Sequence, residues 1–276
     1  MPDFESFDPD EMFLLIGCGI VSLMGFVHWF RKLRPVSRLG CSSLQRAPLY
    51  LSALAGFAIL ALVIQRWADQ DIRDNSGYVL LVMLMGGACL TLASAVFPWL
   101  GIGLRDDAFE RRNPAAVFAL SGAMLAVMVT FAGANTGEGP SFWNNVFSSL
   151  LSTGTLLLFW LMLAILGGAA RSVTEERDVP SGLRLGAFLI AEGIILGRAI
   201  SGDWHSVEAT VRDFVRDGWA GAVILVLAIC IERMLRPRHA AARPSMMSCG
   251  LVPSCAYLVG AVLWAAGLGW WEGAAR

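Results

Sequence analysis

Apolar residues in this chain gather in eight runs of roughly 16 to 23, and short segments between them hold most of the charge. Wound as a helix, a run of that length crosses about 30 Å of hydrocarbon. The pattern places spans near Met12 to Trp29, Leu49 to Ile64, Tyr78 to Phe97, Ala115 to Ala134, Phe147 to Ala169, Leu183 to Ile200, Trp219 to Met234 and Leu251 to Trp270. Barrel strands would be about 10 residues of alternating polarity, whereas these runs are apolar on all sides. The expected fold class is an all-α membrane protein of about eight transmembrane helices.

Composition agrees with that class. The 276 residues are 56% hydrophobic and only 16% charged, which excludes an ordinary soluble domain. A net charge near -1 gives no reason to expect nucleic acid as a partner. Six cysteines (Cys18, Cys41, Cys89, Cys230, Cys249 and Cys255) include no CxxC pair, so they read as small packing residues and suggest neither a disulfide framework nor a zinc site.

The sign of charge along the chain gives an orientation. The flank of the first span, with Asp3, Glu5, Asp8, Asp10 and Glu11, is acidic where a cleavable signal peptide needs a basic region, so this span is expected to stay in the mature protein. Alternate loops carry Arg31, Lys32, Arg34, Arg38 and Arg46, then Arg105, Arg111 and Arg112, then Arg171 and Arg177, then Arg233, Arg236, Arg238 and Arg243. By the positive-inside rule these face the cytoplasm, and both termini face out. Trp67, Trp143, Trp204, Trp219, Trp270 and Trp271 then fall at outer ends, where an indole sits between lipid and water.

Self-comparison shows a repeat. Reading from the basic turn into the following span, the second span runs Arg46-Ala47-Pro48, then Leu54 and Gly56, and the fourth runs Arg112-Asn113-Pro114, then Leu120 and Gly122. The sixth runs Arg177-Asp178-Val179-Pro180-Ser181, then Leu185 and Gly186, and the eighth Val252-Pro253-Ser254, then Leu258 and Val259. Offsets of 66, 65 and 73 residues make four helical hairpins of one orientation. That is a parallel repeat, with pseudo-rotational symmetry about the membrane normal. A proline in the first turn of a helix loses no needed hydrogen bond, so packing alone accounts for it. The chain divides into an N-terminal hairpin (1–75), a central pair of hairpins (76–205) and a C-terminal hairpin (206–276).

The stretch Arg112-Asn113-Pro114-Ala115-Ala116 into Leu120-Ser121-Gly122, and the segment from Arg177 to Trp204 with Gly182, Leu185, Gly197, Ala199 and Gly202-Asp203-Trp204, resemble the bacterial inner-membrane family known as domain of unknown function 350. The resemblance covers mainly residues 76–205. It implies the bacterial cytoplasmic membrane as location and a loose link to envelope stress or polyamine-related systems. It implies no activity and no functional residues, and the family's Asn-Val-Ala after the basic turn is here Asn113-Pro114-Ala115 and Asp178-Val179-Pro180.

Few residues suggest chemistry. There is no phosphate-binding P-loop, no HExxH helix and no GxSxG elbow, and His28, His205 and His239 are far apart in the chain, so an enzyme is weakly supported and no cofactor is expected. Asp203, His205 and Glu208 could hold a divalent metal, but Val207, Val211, Phe214 and Val215 at helical spacing argue for an amphipathic interfacial segment, and no metal site is assigned. Gly182, Gly186, Gly193 and Gly197 form one stripe on the sixth span, a face another backbone can approach closely. Arg184 and Arg198, near opposite ends of that span, read as anchors that snorkel to their own interfaces. On the fifth span Asn145, Ser148, Ser152 and Thr155 share a polar face, read either as interhelical hydrogen bonding or as a vestibule open to the outside.

Glu192 is the one ionisable residue that the sequence places deep in the membrane, roughly 12 Å from either interface at about 1.5 Å per residue. It cannot snorkel, so it must face the bundle interior, find donors or be protonated. With Ser148, Ser152 and Thr155 it outlines a path for a small cation, proton or small solute. The rival is a membrane scaffold or envelope-stress signalling component with a dry core. Lipid is the expected partner in either case, and a second copy or another membrane protein is compatible with the small-residue stripes.

Overall fold

The computed structural model describes residues 7–33, 43–236 and 245–269. Asp3, Glu5, Arg34, Arg38, Cys41, Arg238, His239, Arg243, Trp270 and Trp271 lie outside the described residues. The helices are α1 (Pro9–Leu33), α2 (Ser43–Trp67), the short α3 (Gln70–Asp74), α4 (Ser76–Val96), α5 (Pro114–Gly133), α6 (Phe142–Met162), the short α7 (Ala169–Thr174), α8 (Val179–Ala199), α9 (Val207–Leu235) and α10 (Val252–Gly267). Among the described residues, eight helices are long and apolar enough to cross a membrane. Phe13, Leu23, Leu54, Leu150, Ile165, Val226 and Leu263 are exposed on their surfaces, as lipid-facing residues would be.

Helix starts follow from local chemistry. Asn75, Asn113, Ser141, Asp178 and Ser206 each accept a hydrogen bond from a backbone N–H of the helix they precede, satisfying a donor with no intrahelical partner. Pro114, Pro180 and Pro253 occupy the first two positions of α5, α8 and α10. Pro48 differs from its expected first-turn place: it lies inside α2, which begins earlier, at Ser43. A second correction concerns α9. The amphipathic segment expected ahead of the seventh span is its first turns, because Ser206 caps the helix and Phe214 and Gly218 are buried along its inner face.

The turns entering α5 and α8 are built alike. In the first, Asn113 N–H donates to the Asp107 carbonyl at 3.1 Å, and Arg112 takes a left-handed φ of 51°. In the second, 65 residues on, Asp178 N–H donates to the Ser172 carbonyl at 3.0 Å, and Arg177 takes φ 52°. The two turns also touch, since Asn113 Nδ2 donates to the Val173 carbonyl at 2.6 Å.

Helices α5 and α8 are the buried centre of the bundle. They pack on each other, with α2 on the far side of α5 and α10 on the far side of α8. α9 and α6 also contact α8, and α1 packs on α4. Loop contacts sort the bundle into two ends. At one, Asn113 meets Val173, Arg236 pairs with Glu176 at 3.6 Å and Arg233 Nε donates to Leu166 at 2.8 Å. We call this the basic end. At the opposite end Gly137 N–H donates to Trp67, Trp204 N–H to Glu138, and Arg198 to Leu268, and the Tyr78 hydroxyl donates to Glu11. The start of α1 and the end of α10 therefore lie at the same end.

Candidate functional site

Two faces of α8 have different uses. The stripe Gly182, Gly186, Gly193 and Gly197 lies against the backbone of α5: a Cβ on Gly186 would sit 2.6 Å from the Phe118 carbonyl, one on Gly193 2.8 Å from Ala126 Cα, and one on Gly197 2.9 Å from the Val129 carbonyl. Gly122 and Gly133 make the approach mutual from α5, meeting Gly186 and Gly197. This seam leaves no room for side chains, so the polar groups of α8 are turned toward α6, α9 and α10. They stand at three levels, Arg184, Glu192 and Arg198.

Glu192 is fully buried, and among the described residues neither Oε1 nor Oε2 has a hydrogen-bond partner. Its carboxyl fills the notch left by the missing side chain of Gly221 on α9, with the Phe159 ring of α6 3.2 Å from the point a Gly221 Cβ would occupy. Thr155, expected to share a path with this carboxyl, is one turn away from Phe159 and donates to the Leu151 carbonyl at 2.8 Å.

The polar face of α6 divides. Ser148 lines a cavity of about 280 Å³ at the opposite end, together with Asn144, Asn145, Arg198, Asp203 and Asp217. Ser152 is fully buried and donates to the Ser148 carbonyl at 2.9 Å. Neither Ser152 nor Thr155 lines the cavity, because each hydroxyl satisfies itself on its own helix, as serine and threonine readily do. The vestibule therefore stops short of Glu192. Arg198, the lining residue of α8 nearest to Glu192 along the helix, is six residues from it, about 9 Å at the helical rise. Nearby, Asn145 donates to Asn135 at 3.1 Å, and Thr153 lies 3.3 Å from Thr130 and 3.8 Å from Cys89.

Arg184 corrects the reading of a snorkelling anchor. It is 1% exposed and grips Glu232 of α9 with two bonds, Nε to Oε1 at 2.6 Å and Nη2 to Oε2 at 2.9 Å. Nη2 also donates to Ser181 Oγ at 2.8 Å, Nη1 donates to the Cys249 carbonyl, and Ser181 donates to Asp178 Oδ2 at 2.7 Å. Glu232 escapes a reading from sequence because it borders Arg233 at the end of an apolar run. Its signal was weak, a lone acid inside the basic flank of the seventh span. Arg198, by contrast, is half-buried near its own end and donates from Nη2 to the Leu268 carbonyl at 2.6 Å.

Asp203, His205 and Glu208 do not converge, and among the described residues no group of three His, Cys, Asp or Glu side chains could hold a metal ion. Asp203 instead accepts the Glu138 N–H at 2.9 Å, closing the loop over the cavity. No family model, no curated protein and no solved structure matches this chain.

Proposed function

We propose that this membrane protein carries a proton, small cation or small solute across the bilayer, with Glu192 as the group that takes up and releases charge. The observation that carries the reading is a carboxyl that is fully buried at mid-helix with no hydrogen-bond partner among the described residues. An ionised carboxylate left so would cost several kcal/mol, and a purely structural role would give its oxygens donors. A carboxyl held between a polar cavity at one end and the buried Arg184–Glu232 pair at the other is suited to binding charge only when water reaches it. The present state is occluded on both sides, as an intermediate of alternating access would be.

In this reading the basic end faces the cytoplasm of a bacterial cell and the cavity opens outward, because the arginines of the basic loops follow the positive-inside rule. The paired turns of α5 and α8 and the row α2, α5, α8, α10 support four hairpins derived from one ancestor. The resemblance of residues 76–205 to domain of unknown function 350 is the family we propose.

The test is flux. Reconstituted in liposomes with a pH-sensitive dye inside, the protein should dissipate an imposed pH gradient faster than empty vesicles, and Glu192→Gln should return the rate to that of empty vesicles. Equal rates for wild type and variant, or no flux above the lipid background, would overturn the proposal. One observation favours the alternative, a scaffold or envelope-stress signalling component: Glu192 is fully buried, and neither it nor Ser152 nor Thr155 lines the cavity. A stable partner recovered with a protein that shows no flux would decide for that reading.

A further inference from the structure

The seat of the Glu192 carboxyl restricts which ion it can take. Both oxygens are buried without a hydrogen-bond partner among the described residues, and the group lies in the notch at Gly221 with the Phe159 ring beside it. A Cβ on Gly221 would collide with Oε2, so the carboxyl itself fills the notch. A hard metal cation collects about six oxygens. Among the described residues no group of three His, Cys, Asp or Glu side chains could hold one. Ser152 and Thr155 of α6 donate to carbonyls of their own helix, and the inner face of α9 at this level is Gly218, Gly221 and Leu225. A proton needs neither space nor further ligands, and it removes the cost of a charge in an apolar seat.

The charges on the helices packed against α8 leave that need unmet. α5 and α6 carry no titratable residue. On α9 the nearest is Asp217, one turn from Gly221 and paired with Arg216 at 2.8 Å, while Glu232 lies eleven residues away and is held by Arg184. α10 brings the exposed Cys255 and Tyr257, whose ring packs on Phe188 one turn from Glu192 toward the basic end. The short α7 and the segment entering α10 add Arg171, paired with Glu175 at 2.7 Å, and Cys249 beside Arg184. Neither Arg184 nor Arg198 of α8 itself reaches the carboxyl.

We infer that Glu192 is a proton site and not a metal-cation site, with the Gly221 notch as the seat of the protonated carboxyl. The consequence for transport rests on the proposed conduit, in which the ion carried is then the proton, whereas the occupancy of the seat can be measured without transport.

Infrared spectroscopy of the full chain in detergent at neutral pH, taken as the difference between wild type and Glu192→Gln, reads this one group. A neutral carboxyl without hydrogen bonds should give a C=O stretch above that of hydrogen-bonded carboxylic acids. The band should keep its full intensity when sodium, potassium or magnesium chloride replaces choline chloride, a comparison made on the wild-type protein alone. A carboxylate signal in place of the C=O band, or a band that fades as a metal cation replaces choline, would overturn the inference. Gly221→Ala keeps Glu192 but fills the notch, so it should lower the frequency of the band or abolish it; an unchanged band would place the carboxyl elsewhere and overturn the seat. The liposome assay separates the two readings. The band without proton flux would leave the proton site standing and remove the conduit, while flux driven by a sodium or potassium gradient and lost in Glu192→Gln would keep the conduit and overturn the proton site.

Discussion

The Arg184 guanidinium is surrounded by acceptors: both carboxylate oxygens of Glu232, the Ser181 hydroxyl and the Cys249 carbonyl. Two bonds to Glu232 in the planar fork geometry offset part of the desolvation of both ions, and the pair ties α8 to α9 beside the segment that enters α10. Removing one partner leaves a buried charge unpaired. Arg184→Met should therefore destabilise the protein by about 3 to 5 kcal/mol, while Arg184→Met with Glu232→Leu should recover most of that loss. Thermal unfolding in detergent of the two single variants and the double one measures this, and additive losses would show that the pair is not coupled. The sequence hid this pair for a physical reason. Distance from the end of a span says whether an arginine can reach water, but not whether a neighbouring helix offers a carboxylate first. Glu192 was legible because depth alone makes an acid conspicuous, whereas its environment at Gly221 and Phe159 depends on how α8, α9 and α6 cross.

Helices α5 and α8 owe their central place to the absence of side chains between them. With the Phe118 carbonyl 2.6 Å from the position of a Cβ on Gly186, even a methyl group requires the backbones to separate. Gly186→Leu should cost about 1 to 3 kcal/mol, or more where the helices cannot shift. Unchanged thermal stability of that variant in detergent would show that the seam is looser than its geometry. The spacing of four glycines at 4, 7 and 4 residues marks a flat face on α8. It cannot identify the helix that fills it, which needs Gly122 and Gly133 on the facing side. Hydropathy located eight long helices but shortened α9, since Arg212, Asp213, Arg216 and Asp217 depress its first turns. The helix continues through them because Phe214, Gly218 and Gly221 keep an apolar inner face at helical spacing.

At the scale of the molecule, the two ends of the bundle differ in charge and in openness. The opposite end gathers Asp69, Asp71, Glu138, Asp203, Asp213 and Asp217 around its cavities, while Arg111, Arg112, Arg171, Arg177, Arg233 and Arg236 belong to the basic end. Under the positive-inside rule, this asymmetry predicts that the basic end of all eight helices faces the cytoplasm. Because α1 starts and α10 finishes at the acidic end, an even number of crossings is built into the packing, and a single loop suffices to orient the whole. Glu138→Cys and Arg111→Cys, in exposed loops at the two ends, test it with a membrane-impermeant thiol reagent on intact cells, read against the parent protein. The first should label from outside and the second only after the cells are opened. Reversed labelling would place the cavity in the cytoplasm and make the Arg184–Glu232 end the outer one. Labelling of both from outside would break the two-ended arrangement altogether.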